Sequence, residues 1–192
     1  ESTHMLLADA AAGLHIVETP DNVSIQTIDR TRVFSEVRFA GEESEVSLKP
    51  DDEALAVARL LAAADTLGAA QAMIDKAVAY AAGRQQFGRV IGSFQAVKHM
   101  CAEMAARLEP SRALICHAAH ALDTGEPEGL VMATLAKSHL AEAGTFIART
   151  STEVHGGMGF TDLVGLHYWF KRIGVNRQLF GSPEQCRLDA AR

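Results

Sequence analysis

Clustered positive charge, cysteine and long apolar runs are all scarce in this chain of 192 residues. No more than two basic residues stand side by side and the formal net charge is −6 at pH 7, so nucleic acid and anionic membrane surfaces are poor partners. No uninterrupted apolar run approaches the roughly 20 residues that cross a bilayer, and no signal peptide is recognisable. We therefore expect a cytoplasmic protein without a membrane span.

The cysteines and histidines show no pattern of a disulfide or a metal site. Cys101, Cys116 and Cys186 are an odd number without ligand spacing, which is typical of reduced thiols in the cytoplasm. His117 and His120 are three residues apart, as metal ligands on a helix can be, but no carboxylate joins them at the next turn. We therefore predict that the chain holds no metal.

The first part of the chain has the texture of a small β segment. Residues 1–5, Glu-Ser-Thr-His-Met, are typical of an expression-tag remnant, so the native sequence is expected to begin near Met5. Residues 6–49 then carry short segments rich in branched residues, which predict strands at 14–17, 23–28 and 33–39. Turn signals stand at Pro20-Asp21-Asn22 and Ala40-Gly41-Glu42. So few strands are marginal alone, and we interpret this region as the tail of a larger β domain.

From residue 50 onward the pattern is helical. Apolar residues recur at steps of three and four in three long segments, as in the helices of an antiparallel bundle. Helix starts are predicted at Pro50-Asp51, Ser93 and Glu126-Pro127, and helix ends at Gly83, Gly125 and about residue 155. Pro110 falls inside the second segment, but the apolar phase continues across it, which predicts a kink and not a break.

The same periodicity predicts which helix faces are buried. In the first helix the stripe is Val57, Leu60, Ala64, Leu67, Gln71, Ile74, Val78 and Ala81. In the second it is Phe94, Val97, Cys101, Met104, Leu108, Ser111, Ile115, Ala118 and Leu122. In the third it is Ala133, Ala136, Leu140, Ala143, Ile147, Thr150 and Val154, whose many small residues imply close helix approach.

Two shorter helices complete the predicted fold. One should cover roughly residues 163–172, and the last should begin with Ser182 as N-cap and Pro183 at the first position. The sequence therefore predicts a mainly α protein: a four-helix-type antiparallel bundle over residues 50–192, preceded by the short β segment.

The first motif that could carry chemistry spans residues 84–95, Arg-Gln-Gln-Phe-Gly-Arg-Val-Ile-Gly-Ser-Phe-Gln, just after the first predicted helix. Arg84 offers a guanidinium that can hold two phosphate oxygens, Phe87 a ring that can pack on a flat heterocycle, and Gln95 an amide. An arginine at a helix end is commonly a plain surface residue, so this motif does not define a site by itself.

The second motif lies where the third predicted helix ends. His155 is followed by Gly156, Gly157 and Gly159. One glycine suffices for a left-handed helix cap, so the surplus suggests backbone that passes close to another molecule. Together, the two motifs suit an anionic dinucleotide held against helix termini.

In this order and spacing the two motifs resemble those of the C-terminal helical domain of the acyl-CoA dehydrogenases. The resemblance covers residues 10–192, nearly the whole chain. In that family an Arg-x-x-Phe-Gly loop, with glutamine eleven residues after the arginine, binds the FAD of a neighbouring subunit. Arg84, Phe87 and Gln95 match this loop.

The resemblance implies roles for further residues. A family stretch of the form Gln-x-Leu-Gly-Gly-x-Gly contacts the adenosine and diphosphate of FAD, and here Gly156 and Gly157 match while Glu153 replaces the glutamine. By the same resemblance, Ser182 and Glu184 are expected at the flavin. Arg59 and Gly181 are expected at the acyl-CoA substrate.

The chain departs from the family at the catalytic position. Acyl-CoA dehydrogenases remove a proton from the substrate α-carbon with a glutamate while a hydride passes from the β-carbon to the flavin. That glutamate usually lies in Tyr-Glu-Gly-Thr, but here Phe180 stands in its place. Some members carry the base on the first helix, where this chain has Ala58. Neither side chain can accept a proton. Glu184 is a weak substitute because the resemblance matches it to a family glutamine that contacts the flavin adenylate, and Glu53, ahead of the first helix, is a weaker one.

Other departures point to a particular branch of the family. Lys171-Arg172-Ile173 replaces the family's Arg-Asp-Ala motif, and His167-Tyr168-Trp169-Phe170 resembles a stretch in members that act on steroid side chains. A chain without a base also resembles one subunit of the actinobacterial acyl-CoA dehydrogenases built from two unlike subunits. An aromatic cluster that packs the edge of the bundle would explain the second stretch equally well.

The resemblance therefore implies an FAD-dependent acyl-CoA dehydrogenase subunit that lacks its own glutamate and contributes to a shared FAD site in a homo- or hetero-oligomer. Two alternatives stay open. The protein could be a flavin-free helical scaffold for oligomerisation, or an acyl-CoA oxidase-like or nitroalkane-oxidase-like flavoenzyme with a relocated base.

Overall fold

A computed structural model gives the fold of the chain and describes residues 4–9, 13–18, 22–37, 46–48 and 52–192. The chain divides into two compact units, residues 1–55 and residues 56–192. Three predicted features lie outside the described residues: the turn at 40–42, the Pro20-Asp21 part of the other turn, and the helix start at Pro50-Asp51.

The first unit contains two small antiparallel sheets. In one, β2 (Gly13–Glu18) lies between β1 (His4–Asp9) and β5 (Val46–Leu48); in the other, β3 (Asn22–Ile25) pairs with β4 (Phe34–Val37). The strand prediction at 14–17 is confirmed, with one more residue at each end. β1 is not predicted from the sequence, and it includes the last two residues of the segment interpreted as a tag remnant.

The strand prediction at 23–28 is too long, because a turn held by side chains follows β3. Asp29 is 1% exposed, and its Oδ1 accepts hydrogen bonds from the Thr31 amide at 2.9 Å and the Thr31 hydroxyl at 2.6 Å. An aspartate that binds backbone two residues on is typical of turns. Of the strand predicted at 33–39, β4 covers Phe34–Val37, residue 33 lies before it, and residues 38 and 39 lie outside the described residues.

The second unit is the predicted helical bundle. Its elements are α1 (Asp52–Gly83, of which the first residues fall before the unit boundary), a hairpin of β6 (Gln85–Gln86) and β7 (Arg89–Val90), α2 (Gln95–Asp123), α3 (Gly129–His155), α4 (Leu166–Gln178) and α5 (Pro183–Ala190). Short 3₁₀ turns at Ile91–Ser93 and Gly156–Phe160 precede α2 and follow α3. The mainly α fold class is confirmed.

Two predicted helix starts are placed too early. α2 begins at Gln95, because Ser93 lies in the 3₁₀ turn and its hydroxyl donates to the Val90 carbonyl at 2.7 Å instead of capping the helix. α3 begins at Gly129, after a turn in which the Glu126 amide donates to the Ala121 carbonyl at 2.8 Å. Helix ends near Gly83, Gly125 and residue 155 agree with the predictions.

The fourth helix is longer and later than predicted. It runs over Leu166–Gln178 instead of 163–172, and Gly165 precedes it in the left-handed region at φ 69°. Long-range polar contacts hold its later half, as described below, and no local pattern reveals them. The prediction for the last helix is confirmed: the Ser182 hydroxyl accepts from the Gln185 amide at 3.3 Å, and Pro183 stands at the first position.

The predicted buried face is right for α3 and wrong in phase for α1. All seven stripe residues of α3 are at most 6% exposed. In α1, by contrast, Leu60, Ile74 and Ala81 of the predicted stripe are buried, but Val57 and Val78 are 40% and 47% exposed. Residues outside the stripe are 0% exposed, namely Ala63, Ala70, Met73 and Ala77. The true face is rotated by roughly one residue, about 100°. Because α1 is apolar around most of its circumference, periodicity alone does not fix which side faces the core.

Among the described residues, α1 is long and apolar enough to cross a membrane by length and composition, with an 18-residue window of mean hydropathy 1.2. This finding qualifies the expectation drawn from the lack of long apolar runs. The same helix contributes Ala70, Met73, Ile74 and Ala77 to the main core cluster, and 44% of the window is buried inside the fold. A core helix of a bundle passes the same test, so the result is weak evidence for a span.

α2 continues through Pro110 from Gln95 to Asp123, so the prediction that the helix does not break there is confirmed. Proline removes one backbone donor within the helix. The next residue, Ser111, donates its hydroxyl to the Arg107 carbonyl at 2.9 Å, which adds a hydrogen bond at this turn.

Gly144 lets α3 approach α1 and α4 closely. A Cβ at this position would lie 2.6 Å from Thr66 Cγ2 and 3.2 Å from Ile173 Cγ2. We expect Gly144→Ala to lower the free energy of unfolding by about 1–3 kcal/mol, because a packed interior has no room for an extra methyl group. Urea denaturation measures the change.

Gly68→Ala is the matched control for this prediction. Gly68 also lies inside a helix, but no atom comes within 4 Å of a Cβ built there. Alanine should therefore raise the free energy of unfolding at Gly68 by up to about 1 kcal/mol, because of its helix propensity. A stabilising effect at both positions would contradict the close packing.

Candidate cofactor and substrate site

Residues 84–90 form a tight β-hairpin after α1. Gln85 pairs with Val90 and Gln86 with Arg89, and the two residues between the strands, Phe87 and Gly88, have φ of 53° and 74°. Two consecutive positive φ values identify a type I′ turn. A phenylalanine rarely adopts this conformation, yet Phe87 is 92% exposed at the tip. The hairpin therefore presents an aromatic ring to the outside that packs into no core.

The predicted cofactor residues of this hairpin region are exposed. The Arg84 backbone is fixed, since its amide donates to the Tyr80 carbonyl and its carbonyl accepts from the Ile91 amide, both at 2.8 Å. Its guanidinium has no hydrogen-bond or ion-pair partner among the described residues. Gln95 is exposed in the first turn of α2, where its amide donates to His99 Nε2 at 2.8 Å. The chain thus holds the backbone of this motif in place and leaves its guanidinium available.

The glycine turn after α3 is open in the same way. Gly156 has φ 58° and ψ −139°, a conformation reserved for glycine, and no atom lies within 4 Å of a Cβ built at Gly156 or Gly157. Glu153 is exposed one turn earlier. Gly159 differs, because its Cβ would lie 2.8 Å from the Thr152 carbonyl oxygen, so packing explains that glycine. Nothing inside the chain explains the bare backbone at Gly157.

A ring stack brings the two motifs to the same end of the bundle. The rings of Tyr80 and His155 are stacked, with centroids 4.5 Å apart and planes at 26°. His155 is 4% exposed, and its Nδ1 donates to the Ser151 carbonyl at 2.8 Å. Tyr80 lies one helical turn before Arg84, and His155 directly precedes Gly156. An unpaired guanidinium and a bare glycine turn therefore lie at neighbouring helix ends, although their cofactor role stays a prediction.

A strained turn occupies the position where the family resemblance places the catalytic glutamate. Phe180 and Gly181 have φ of 60° and 107°, and the Phe180 side chain is 47% exposed. Positive φ costs a phenylalanine roughly 1–3 kcal/mol, so surrounding contacts must hold it. Those contacts come from two buried cations on α1 and α3.

Arg59 is the first of these cations. It is 6% exposed and donates from Nε to the Phe180 carbonyl at 3.0 Å, and from its terminal nitrogens to the Thr134 hydroxyl at 3.2 Å and to Asp189 Oδ2 at 2.5 Å. The hydrogen bond from Arg59 lowers the pKa of Asp189. Arg59 was predicted to contact substrate; the structure places its guanidinium on protein partners that join α1, α3, α5 and the strained turn.

Lys137 is the second cation, and sequence reasoning missed it. It is 2% exposed, and its Nζ donates to the Gly181 and Arg177 carbonyls, each at 3.3 Å. Burial, which penalises the charged amine, lowers the pKa of Lys137, and the nearby Arg59 and Arg177 lower it further. The only sequence signal was its position in a helix that is buried almost all around.

Among the described residues, neither Asp189 nor Glu184, the carboxylates beside this turn, is suited to accept a proton near neutral pH. The ion pair with Arg59 holds Asp189 as a carboxylate. Glu184 is exposed, and hydrogen bonds from its own backbone amide and from Ser182 lower the pKa of its carboxyl, with further lowering by Arg177 and Arg187. A general base works best with a pKa near the operating pH, and these shifts go the other way. Ala58 and Phe180, the two positions that carry the base in family members, offer no acidic group.

A polar network missed by sequence reasoning joins α4 to α1. Arg172 contacts Asp65 through two nitrogens, with Nε and Nη2 at 2.9 Å and 2.7 Å from the two carboxylate oxygens. The Asn176 amide donates to Asp65 at 2.7 Å and to the Thr66 hydroxyl at 3.0 Å. Arg172 stands where the family motif has an aspartate. This change from a negative to a positive side chain was the sequence signal that α1 would supply an acidic partner.

The aromatic stretch on α4 is divided between core and surface. Trp169 packs against the main core cluster, and Phe170 is 38% exposed. His167 lies 3.1 Å from Asp162 through Nε2 and tilts against Tyr168 at a centroid distance of 4.1 Å. Part of the stretch therefore packs the edge of the bundle, and Phe170 faces a groove beside α3.

Among the described residues of the second unit, two open grooves of similar volume lie near the predicted site residues. One of about 500 Å³ lies behind the hairpin and is mainly apolar; its walls include Val78, Ala82, Val90, Val97 and Cys101. The other, of about 460 Å³, lies between α3 and α4 and includes Phe146, Arg149, Phe170, Gly174 and Arg177. Within the described residues, no group of three or more His, Cys, Asp or Glu is placed to hold a metal ion, and His117 pairs with Glu128 at 3.2 Å.

Comparison with known proteins gives consistent matches. Residues 51–192 match the family model for the C-terminal domain of acyl-CoA dehydrogenases. The chain is 37% identical over 161 residues to the acyl-CoA dehydrogenase IpdE2 of Mycobacterium tuberculosis, covering 84% of this chain and 48% of that protein. It is 36% identical over 119 residues to the mitochondrial short/branched chain specific acyl-CoA dehydrogenase of Bos taurus, covering 61% of this chain and 27% of that protein.

Solved structures share the fold. The Tcur3481-Tcur3483 steroid ACAD, in a variant form, superposes with a TM-score of 0.90 at 25% identity, covering 99% of this chain and 54% of that one. Butyryl-CoA dehydrogenase of Megasphaera elsdenii gives a TM-score of 0.80 at 21% identity, covering 98% and 54%. The chain thus spans about half the length of the relatives that it matches.

Proposed function

The chain belongs to the acyl-CoA dehydrogenase family, and from this premise we propose that it is a subunit of an FAD-dependent enzyme that dehydrogenates acyl-CoA thioesters between the α- and β-carbons. The subunit contributes part of a shared FAD site and relies on a partner chain for the catalytic carboxylate. Two observations together carry the proposal: Arg84 has no partner for its guanidinium among the described residues and lies near the bare turn at Gly157, and Phe180 stands at the place of the base.

The residues at the hairpin end of the bundle fit a dinucleotide. The free guanidinium of Arg84 can bind two phosphate oxygens, and the exposed backbone at Gly156 and Gly157 allows close approach of a diphosphate. The exposed Phe87 ring and the Gln95 amide add a flat apolar surface and a polar group. When bound, the flavin supplies the acceptor for the substrate hydride.

At the position of the catalytic base, buried side chains of this chain hold the turn of Phe180 and Gly181. Arg59 and Lys137 bind both carbonyls of this turn, so the backbone that would face substrate is fixed without a proton acceptor. In this proposal the α-proton passes to a carboxylate supplied by another chain, since phenylalanine has no lone pair to accept it. This is the physical reason for assigning the protein to a hetero-oligomer.

The relatives support a substrate class, and the cysteines support a location. Similarity to IpdE2 and to a steroid ACAD supports an acyl-CoA with a bulky, steroid-derived acyl chain as the substrate class. The described cysteines are free thiols, as expected in the cytoplasm, where we place the protein.

The test is the substitution Arg84→Ala in the intact protein, purified with the chains that it binds. We expect the FAD dissociation constant to rise about ten- to a hundredfold, because a charge-assisted hydrogen bond contributes roughly 1.5–3 kcal/mol. Flavin absorbance after gel filtration and fluorescence titration measure it.

Arg149→Ala provides the matched control. Arg149 is also exposed and has no partner among the described residues, but it lies in the groove between α3 and α4. Its removal should leave flavin content unchanged. Equal flavin retention in wild type and Arg84→Ala would remove the diphosphate role, and a colourless intact protein would favour the flavin-free scaffold.

A further inference from the structure

The segment around the hairpin is cationic in an otherwise acidic chain. Residues 76–102 contain Lys76, Arg84, Arg89 and Lys98 but no aspartate or glutamate, while the whole chain has a net charge of −6. Like Arg84, Arg89 is exposed and has no carboxylate partner among the described residues. Two guanidiniums five residues apart are therefore left without counter-ions among the described residues.

The hairpin register places these two arginines on one face. Arg89 stands directly opposite Gln86, and side chains directly opposite in an antiparallel pair point to the same side. Arg84 is two residues before Gln86, and the ladder continues to it through the Ile91 amide and the Arg84 carbonyl at 2.8 Å. Residues two apart on a strand share a face, so Arg84 and Arg89 are diagonal neighbours with Cβ atoms roughly 7–8 Å apart.

Arg89 is also oriented by an aromatic platform. Its guanidinium carbon lies 3.9 Å from the centroid of the Phe94 ring, and Phe94 packs edge-on against Phe87 at 6.1 Å. Stacking on a ring holds the planar guanidinium while its edge donors stay free for a ligand. Arg89 and Phe94 lie outside the motif positions that the family resemblance assigns to FAD.

We propose that Arg89, oriented by Phe94, is a second phosphate-binding residue that acts with Arg84 on the ADP half of the dinucleotide. This inference rests on the proposed function and deepens it. Arg84 and Arg89 each take one of two adjacent phosphoryl groups, so the hairpin selects a diphosphate over a monophosphate. The pair therefore makes the site specific for FAD over FMN.

The experiment compares Arg84→Ala, Arg89→Ala and the double variant in the intact protein with its co-purifying chains. FAD affinity should fall about tenfold for Arg89→Ala and about a hundredfold for the double variant, if each arginine contributes a separate charge-assisted contact. The inhibition constant of ADP in competition with FAD should rise in Arg89→Ala, while the inhibition constant of AMP should change little. The salt dependence of FAD binding should also become shallower.

Two further variants separate binding from folding. Arg89→Lys keeps the charge but loses the planar stack, so it should bind FAD with an affinity between those of wild type and Arg89→Ala. Lys98→Ala removes a neighbouring cation of the same segment and should leave FAD affinity unchanged. Thermal unfolding of each apo variant should stay close to that of wild type, since both arginines are exposed and the stack of Arg89 on Phe94 is a single surface contact.

The outcomes distinguish the two claims. If Arg84→Ala loses FAD and Arg89→Ala binds it like wild type, the phosphate-binding role of Arg89 is wrong and the proposed function stands. If neither variant changes FAD affinity, both fall. A third outcome would overturn the assignment of Arg89 to the dinucleotide. Adenosine 3′,5′-bisphosphate would displace FAD from wild type more strongly than ADP does, and this advantage would disappear in Arg89→Ala. Arg89 would then bind the CoA end of the substrate.

Discussion

Gly157→Leu should abolish tight FAD binding while leaving the fold intact. Gly157 has no positive φ to constrain it, and no atom lies within 4 Å of a Cβ built there, so a side chain can leave the backbone at this position without strain or a clash at its Cβ. The new side chain would occupy the space that a diphosphate needs against the backbone. We expect the FAD dissociation constant to rise about a hundredfold, because losing contacts of roughly 3 kcal/mol has that effect.

Gly174→Leu is a close control for this result. Gly174 also lacks a positive φ and has no atom within 4 Å of its Cβ, but it lies in α4, in the groove with Arg149. Leucine there should leave FAD content unchanged, and the unfolding temperature should stay the same or rise because leucine favours a helix over glycine. Wild-type FAD affinity in Gly157→Leu would show that no cofactor approaches this turn.

Asp189→Asn should destabilise the fold by about 3 kcal/mol at neutral pH. The substitution keeps the size of the side chain but leaves the charge of Arg59, whose side chain is only 7% exposed, without its counter-ion. Removing one partner of a buried pair costs roughly 3–5 kcal/mol, and the 24% exposure of the Asp189 side chain puts this case at the low end. Chemical denaturation measures the difference.

The pH dependence of this difference has a definite sign. Arg59 lowers the pKa of Asp189 below its ordinary 3.8, so the stabilisation is present above that value and is lost as pH falls through the lowered pKa. Wild type and Asp189→Asn should therefore converge in acid. Glu103→Gln, which breaks an exposed pair with Arg107 at 2.8 Å, should cost less than about 0.5 kcal/mol. A pH-independent difference would show that the ion pair is not its cause.

The helical fold follows from the sequence, but the phase and ends of the helices follow only in part. α3 carries its small apolar residues on a stripe that all lies in the core, so periodicity predicts it correctly. α1 is apolar on most sides, and only tertiary packing decides that Ala63 and Met73 face inward. The late end of α4 depends on the contacts of Arg172 and Asn176 with α1, which lie over a hundred positions apart in sequence.

The candidate site divides in a similar way. Local sequence predicts the exposure of Arg84, Phe87 and the glycine turn, because turn-forming residues and a helix end indicate open backbone. Their meeting at one end of the bundle depends on the stack of Tyr80 on His155, a contact between distant helices. Lys137 could not be predicted, because no local rule identifies a lysine that will bind two carbonyls in a core.

The most direct test of the account is acyl-CoA turnover by the intact protein alone and after assembly with a partner chain that carries a glutamate in the Tyr-Glu-Gly-Thr position. We predict no α-proton exchange in deuterated water and no flavin reduction by the protein as a pure homo-oligomer. Both activities should appear on assembly and disappear when the partner's glutamate is replaced by glutamine. Steady turnover by the homo-oligomer would contradict the central claim that this chain supplies a cofactor-binding end and no catalytic base.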